Sequence, residues 1–378
     1  YITGHYSEGM MLEALMSLAI STYDERPDIY NYVAGKLYDE YAKPRQYWNQ
    51  SHSYHQGSGY VGARFYWDIV SNLIFSRMTG DDKVFITDST LNPEYGDSYE
   101  NLHGVFYESL YRLRPDGQFL RLGDDYNEYC TYKGQYWTAY NYMFFYGANY
   151  FSDSYLLDRF LTTTKNANAD YTDLAFSEGG ANQGTYSSVM YLILNNPNLE
   201  PADISELGKT MYCPGPNGMM LARTGWDIDI DDPSSSDNVV ALMKIGERNA
   251  SNHNHRDSGS FQLYYKGILA SESGYYDTYG NDHDSKYHKT SIAHNVITVR
   301  TGEIAGGGQR TNMGEPSHFN VWMNEGYRTG EVLAHEYGPD AQTPEYSYIK
   351  GDVAAAYSTG VDEVTRSMLF MPLENSSY

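Results

Sequence analysis

The feature that most narrows the fold of this chain is a change of hydrophobic period near residue 200. From Glu8, apolar Leu12, Leu15, Met16 and Ala19 recur at three- and four-residue spacing, the mark of one buried helical face, which predicts a helix to about Thr22. Tyr30, Val33, Ala34, Leu37 and Tyr41 repeat the pattern, with Pro44 closing a second helix, and Val61, Phe65, Ile69 and Leu73 make a third. Leu102 to Leu113, Trp137 to Tyr150 and Ser154 to Thr162 continue the helical character. Between 195 and 217 Asn, Pro and Gly crowd together, and beyond them the period becomes two. Met219 to Ala222, Val239 to Lys244, Phe261 to Ala270, Ile297 to Val299 and Tyr348 to Lys350 read as strands between turns. Helices followed by strands predict an α+β multidomain chain, helical over 1–205 and antiparallel β over 206–378.

With 378 residues, 41% of them hydrophobic, the chain is long enough for two domains with sizeable cores. No run approaches the roughly 18 apolar residues of a membrane span, and no charged-then-apolar leader is present. The chain starts only a few residues before a helical pattern, which reads as a piece of a longer polypeptide. Cys130 and Cys213 are too few for a disulfide framework or a Cys-rich zinc site, and whether they pair is open. A net charge of −23 argues against nucleic acid or an acidic membrane surface as partner. It also weighs against a polyanionic substrate, although a cleft can hold a few Arg, His and Lys inside an acidic protein. The 40 tyrosines offer flat apolar faces for sugar rings, but Tyr more often serves plain packing.

The richest stretch chemically is Asn252-His253-Asn254-His255-Arg256-Asp257. If the alternation of Phe261 to Tyr265 extends back to it, both imidazoles face one side of a sheet. Glu272 and His294 follow, so one imidazole can join them as a metal ligand while the other stays available for proton transfer. A His, carboxylate, His set suits Zn²⁺, yet the gaps match no compact zinc motif, and among 11 histidines some fall close by chance. In the helical part His5 and Glu8, three apart, share a face if the first helix extends back that far, and Tyr60 and Arg64, four apart, share a face of the third. Each has a plainer reading: His5 as a solvated helix-entry residue, Glu8 as a favourable first-turn carboxylate, Tyr60 as a packing aromatic, Arg64 as a surface ion-pair residue.

Taken together, His5, Glu8, Tyr60, Arg64, Asn252 and His253 supply two bases, a phenol and groups able to neutralise a carboxylate. Such an inventory fits β-elimination of a uronic-acid glycoside. The C5 proton is barely acidic until Asn, Arg or His donors neutralise the adjacent carboxylate. A base then removes it and an acid protonates the departing oxygen on C4. With glucuronate, proton and leaving oxygen lie on one side, so a single Tyr can serve twice; with iduronate a His on the far face must be the base.

Several blocks resemble the heparinase II/III-like polysaccharide lyases, in particular their heparinase II branch. They are Gly4 to Glu8, Ser51 to Gly57 with Tyr60 and Arg64, Arg114 to Gly117, Ala222 to Trp226, Asn252 to Asp257, Phe261 to Gly267, Ile292 to Asn295, Gly338 to Asp340 and Tyr348 to Tyr357. The resemblance runs in unbroken order with gaps mainly in loops. It implies an incomplete α/α toroid followed by an antiparallel β-sandwich, with substrate in the canyon between them. It implies His5 and His253 as bases, Tyr60 as the proton donor to the leaving group, Glu8 beside the first His, and Arg64 and Asn252 as substrate-binding residues. It further implies a mainly structural Zn²⁺ on His255, Glu272 and His294. Glu272 stands where the family has Asp, so its longer arm has to bend to keep the same distance. The implied substrate is a glycosaminoglycan, heparin or heparan sulfate and by extension chondroitin or dermatan sulfate, cleaved by a bacterial periplasmic or secreted enzyme that acts as a homodimer. The alternatives are a lyase for alginate or another acidic polysaccharide, or an inactive carbohydrate-binding homologue.

Overall fold

Strand β2 (Met219–Arg223) is buried along its whole length because its two faces meet different layers. Met219 and Leu221, with Val240, Leu242 and Tyr264 of neighbouring strands, pack into one core with Phe65, Leu102, Phe106, Phe144 and Leu156 of the helices. Met220 and Ala222, with Met243, instead face Ile349, Val353 and Val364. Side chains that alternate along a strand thus all find apolar partners, which is why this strand reads as an unbroken apolar run.

The computed structural model describes residues 6–36, 43–54, 56–62, 64–65, 68–69, 73, 98–125, 137–166, 192–229, 231–300, 308–310, 316–317, 319–357 and 360–373. Among the described residues the helices of the first half include α1 (Tyr6–Ser21), α2 (Pro27–Gly35), α3 (Lys43–Asn49), α4 (described at 58–62, 64–65, 68–69 and 73), α5 (Ser98–Tyr111), α6 (Trp137–Phe151) and α7 (Ser154–Asn166). Two antiparallel sheets follow. The first has order β1-β2-β3-β4-β5, with β1 at Thr210–Cys213, β3 at Val239–Lys244, β4 at Phe261–Tyr265 and β5 at Ile268–Ala270. The second is β6 (Glu331–Gly338), β7 (Tyr346–Asp352) and β8 (Thr365–Phe370). The five-stranded sheet therefore lies between the helices and the three-stranded sheet. One apolar core joins helices to strands across residue 205. Among the described residues no helix is long and apolar enough to cross a membrane.

Three local expectations need correction. Pro44 does not close a helix; it sits in the first turn of α3, where a missing N–H costs nothing. The predicted strand Phe261 to Ala270 is a hairpin, broken at Lys266, whose φ is 54°, with Tyr265 N donating to Gly267 O at 3.0 Å. Ile297 to Val299 forms no strand. Its neighbourhood is held by side chains instead: Asn295 donates to Phe261 O and Ser271 O, and Arg366 donates to Asn295 O. Strands β1, β6 and β8 were not anticipated. In β6 nearly every residue is exposed, as an edge strand permits, so no alternation marks it.

Asp153 fixes the helical layer. One carboxylate oxygen accepts from the backbone N of Tyr155 and of Leu156, each at 2.9 Å, capping α7. The other accepts from His103 Nε2 at 2.7 Å and Tyr107 OH at 2.8 Å on α5. Burial pushes this carboxyl up, but these bonds outweigh it and hold it below the usual carboxylate range. Asp153→Ala is expected to cost about 2 kcal/mol in urea unfolding at neutral pH, a lost cap plus tertiary hydrogen bonds. Because the folded value is depressed, that contribution is complete above about pH 4 and fades as pH falls below it. Equal urea midpoints for the two proteins, or a gap that persists in acid, would refute this assignment.

Candidate active site

The site is assembled around the segment Arg121-Leu122-Gly123-Asp124-Asp125. Leu122 O accepts from Ser58 N at 2.7 Å, and Asp124 O from Gly59 N at 2.9 Å. Ser58 Oγ in turn accepts from Leu122 N at 3.0 Å and from Arg112 at 2.6 Å. These bonds seat the first turn of α4, which carries Tyr60 and Arg64. On the other side Asp124 N donates to His253 O at 3.3 Å, and Tyr276 N to Asp125 O at 3.1 Å. Arg121 donates to Gly274 O at 3.0 Å, and its backbone N donates to Gln262 of β4 at 3.0 Å. Approach is close enough that a methyl group on Gly57, whose φ is 84°, would run into Leu122 O.

His253 and His255 lie on the loop between β3 and β4, not on a strand, which corrects the extended reading. Ser251 and Asn252 before them have φ of 58° and 53°, a left-handed pair that is uncommon outside Gly and that clusters at functional loops. The two imidazoles nonetheless converge, because both bond the same carboxylate. Asp124 Oδ2 accepts from Nδ1 of His253, and Oδ1 from Nε2 of His255 at 2.9 Å. Burial pushes Asp124 up, and the two imidazoles outweigh it, so the group stays below the usual carboxylate range. His253 is lowered, by burial first and against the pull of Asp124; it is neutral at neutral pH.

Tyr60 reaches this histidine from the helical side. The two ring centroids are 4.1 Å apart, and the Tyr60 hydroxyl donates to that of Tyr276 at 3.0 Å. The Arg64 guanidinium stands 3.8 Å from the Tyr60 ring centroid and donates to Gln56 at 2.7 Å. Its placement agrees with the shared helical face, but Arg64 is buried rather than a surface residue. Asn252 adjoins His253 in the loop. Glu8 falls in α1, where only the backbone is described, and His5 lies outside the described residues, as does Cys130. Cys213 is buried in the core.

Beyond His255 lies a buried donor set. His255 Nδ1 is 3.6 Å from Glu272 Oε2, and His294 Nδ1 is 3.3 Å from Glu272 Oε1. Among the described residues, His255 Nδ1, both Glu272 oxygens and both His294 nitrogens are buried with no hydrogen-bond partner, a cost that native interiors rarely carry. Ligands on a tetrahedral Zn²⁺ at about 2.0–2.2 Å stand about 3.3–3.6 Å apart, so these residues fit a divalent cation and the longer Glu arm does not spoil the fit. The acidic neighbours favour positive charge at this position. Burial would lower His255, yet Asp124 and Glu272 raise it to about 9. A second group, Asp124, His255 and His288, also clusters, but there the His255 nitrogen already donates to Asp124 and His288 faces Asp284 at 3.4 Å.

Reasoning from sequence missed Asp124, Gln56 and Tyr276. Asp124 is one of 49 acidic residues, and no spacing ties it to a histidine 129 positions away.

Comparison with known proteins gives a partial match. Residues 220–337 match the family model Heparinase II/III-like, C-terminal. This segment holds His253, His255, Glu272 and His294, while Tyr60, Arg64 and Asp124 lie outside it. No curated protein matches. Among solved structures the chain is similar to a mutant of the heparan sulfate lyase HepC from Pedobacter heparinus, at 13% identity and TM-score 0.48, covering 95% of this chain and 43% of that one. It is also similar to a heparinase III, at 11% identity and TM-score 0.42, covering 86% and 36%. A lysine-methylated form of heparinase III gives 12% and 0.45, covering 96% and 51%. The chain thus spans about half or less of the length of these structures.

Gly57→Ala is expected to destabilise the protein by more than about 2 kcal/mol, since it adds both a left-handed strain and a backbone clash. Thermal unfolding checks this, and a wild-type midpoint would rule out the close approach of the two segments.

Proposed function

We propose that this chain is the catalytic part of a heparinase II-like polysaccharide lyase that cleaves uronic-acid-containing glycosaminoglycans by β-elimination, heparan sulfate foremost. The observation that carries the reading is the contact of Tyr60, from the helical layer, with His253, from the sheet layer, at 4.1 Å between rings. A phenol and a neutral imidazole side by side supply acid and base for one sugar ring, and the helices that deliver the phenol are read as part of an α/α toroid. The match of 220–337 to the Heparinase II/III-like, C-terminal model supports the same chemistry.

In this reading Arg64 and Asn252 neutralise the uronate carboxylate, which makes the C5–H acidic. For glucuronate, Tyr60 takes the C5 proton, the C4–O bond breaks as the C4=C5 double bond forms, and the same phenol returns the proton to the departing oxygen. For iduronate, His253 takes the proton from the other face and Tyr60 protonates the leaving group. Arg64 against the Tyr60 ring stabilises the phenolate that must be present before Tyr60 takes the C5 proton and that forms again once the leaving oxygen is protonated. His5 and Glu8 complete the set as a further base and its neighbour. His255, Glu272 and His294 would hold Zn²⁺, whose contribution there is structural: it cross-links the loop after β3 to the segments carrying Glu272 and His294. Periplasmic or secreted placement and homodimer formation belong to the same proposal.

Tyr60→Phe is expected to lower turnover about 10²–10⁴-fold on every substrate, followed by the ultraviolet absorbance of the unsaturated uronate. Activity near wild type would remove Tyr60 from the mechanism. In the same assay growth of signal with heparan sulfate but not alginate selects this reading, alginate alone selects an alginate lyase, and silence on all substrates selects a binding protein. Chelation should lower the melting temperature by about 5–10 °C before it lowers the activity of the still-folded protein. Loss of activity first would refute a structural cation.

A further inference from the structure

Asp124 is buried completely, and its two oxygens serve two histidines with different surroundings. Oδ2 accepts from Nδ1 of His253, whose ring lies against Tyr60. Oδ1 accepts from Nε2 of His255, whose other nitrogen faces Glu272. A carboxylate only accepts hydrogen bonds, so each imidazole must present an N–H to it. With both imidazoles neutral, as a cation on His255 requires, the remaining nitrogens are then fixed: Nε2 of His253 and Nδ1 of His255 carry the lone pairs. The second of these is a buried nitrogen that lacks a hydrogen-bond partner among the described residues. The backbone holds the carboxylate in place as well, through Asp124 N to His253 O and Gly59 N to Asp124 O. The residue is thus fixed relative to both the histidine loop and the turn that carries Tyr60.

We infer that Asp124 is a positioning residue that selects opposite tautomers for His253 and His255, reserving the first for proton transfer and the second for a cation. The inference rests on the lyase reading for the role of His253, but the tautomers themselves do not. Asparagine at this position keeps the shape and changes the rule. Its amide nitrogen donates, so one of the two imidazoles has to turn its acceptor nitrogen inward and its N–H outward.

The test uses the full zinc-loaded chain with ¹⁵N-labelled histidine. Long-range ¹H–¹⁵N spectra, with His253 assigned by the signals lost in His253→Gln, should show Nδ1 of His253 protonated and Nε2 bare in the wild type. A bare Nδ1 on His253 overturns the proposal without any variant. In Asp124→Asn, with the fold verified by its melting curve, the tautomer of one of the two histidines should change. Affinity for Zn²⁺, read by competition with a chromogenic chelator, should fall about 10–100-fold, as for other residues that orient a ligating histidine. Wild-type values for either the tautomers or the affinity overturn it; should the variant not fold, the wild-type spectrum alone decides. Silence of the wild type on every uronate polymer would sink the lyase reading while leaving the tautomer result standing.

Discussion

The structure of the site depends on one buried carboxylate placed between two imidazoles. A charge at that depth is tolerable only when hydrogen bonds replace its lost water, and the bonds come from His253 and His255. The same segment is stitched to the start of α4 and to the loop through Tyr276. Displacing it would disturb Tyr60, His253 and the Glu272 group together, because each is anchored to 121–125. The proposed acid and base and the cation-fitting residues are therefore parts of one hydrogen-bonded assembly.

The arrangement of layers explains why such an assembly can form. Strand β2, buried on both faces, locks the five-stranded sheet against the helices on one side and the smaller sheet on the other. The loop between β3 and β4 emerges at the side where α4 begins. Left-handed backbone at Ser251 and Asn252 then turns the chain so that His253 meets the aromatic ring of Tyr60. Rigid layers carry the strained loop, a common division of labour where geometry matters more than local stability.

Much of this architecture was legible in the sequence, and the exceptions have physical causes. Helical periodicity located α1, and helical character α5, α6 and α7, although α6 is buried at every position from 143 to 148 and shows no single apolar face. Strand β3 was found end to end because its apolar run is bounded by turn residues. Edge strand β6 escaped because exposure on both faces erases alternation, and the hairpin at Lys266 and Gly267 was hidden by apolar residues on both arms. In the site, the four-residue spacing of Tyr60 and Arg64 put them on one helical face, and their contact follows from it. Nothing local linked Asp124 to His253, since a contact between segments that distant is written only in the tertiary fold. The extended reading of 252–257 placed both imidazoles together for the wrong reason: a shared acceptor aligns them, not a pleat.

The core that joins helices to strands across residue 205 also bears on when the chain becomes competent. Tyr60 and His253 belong to segments far apart in the sequence, so their contact exists only where the sheet is packed on the helical layer. A nascent or partly folded chain accordingly carries its phenol and its imidazole apart. Under the proposed reaction, activity therefore requires that packing and not the helical layer alone.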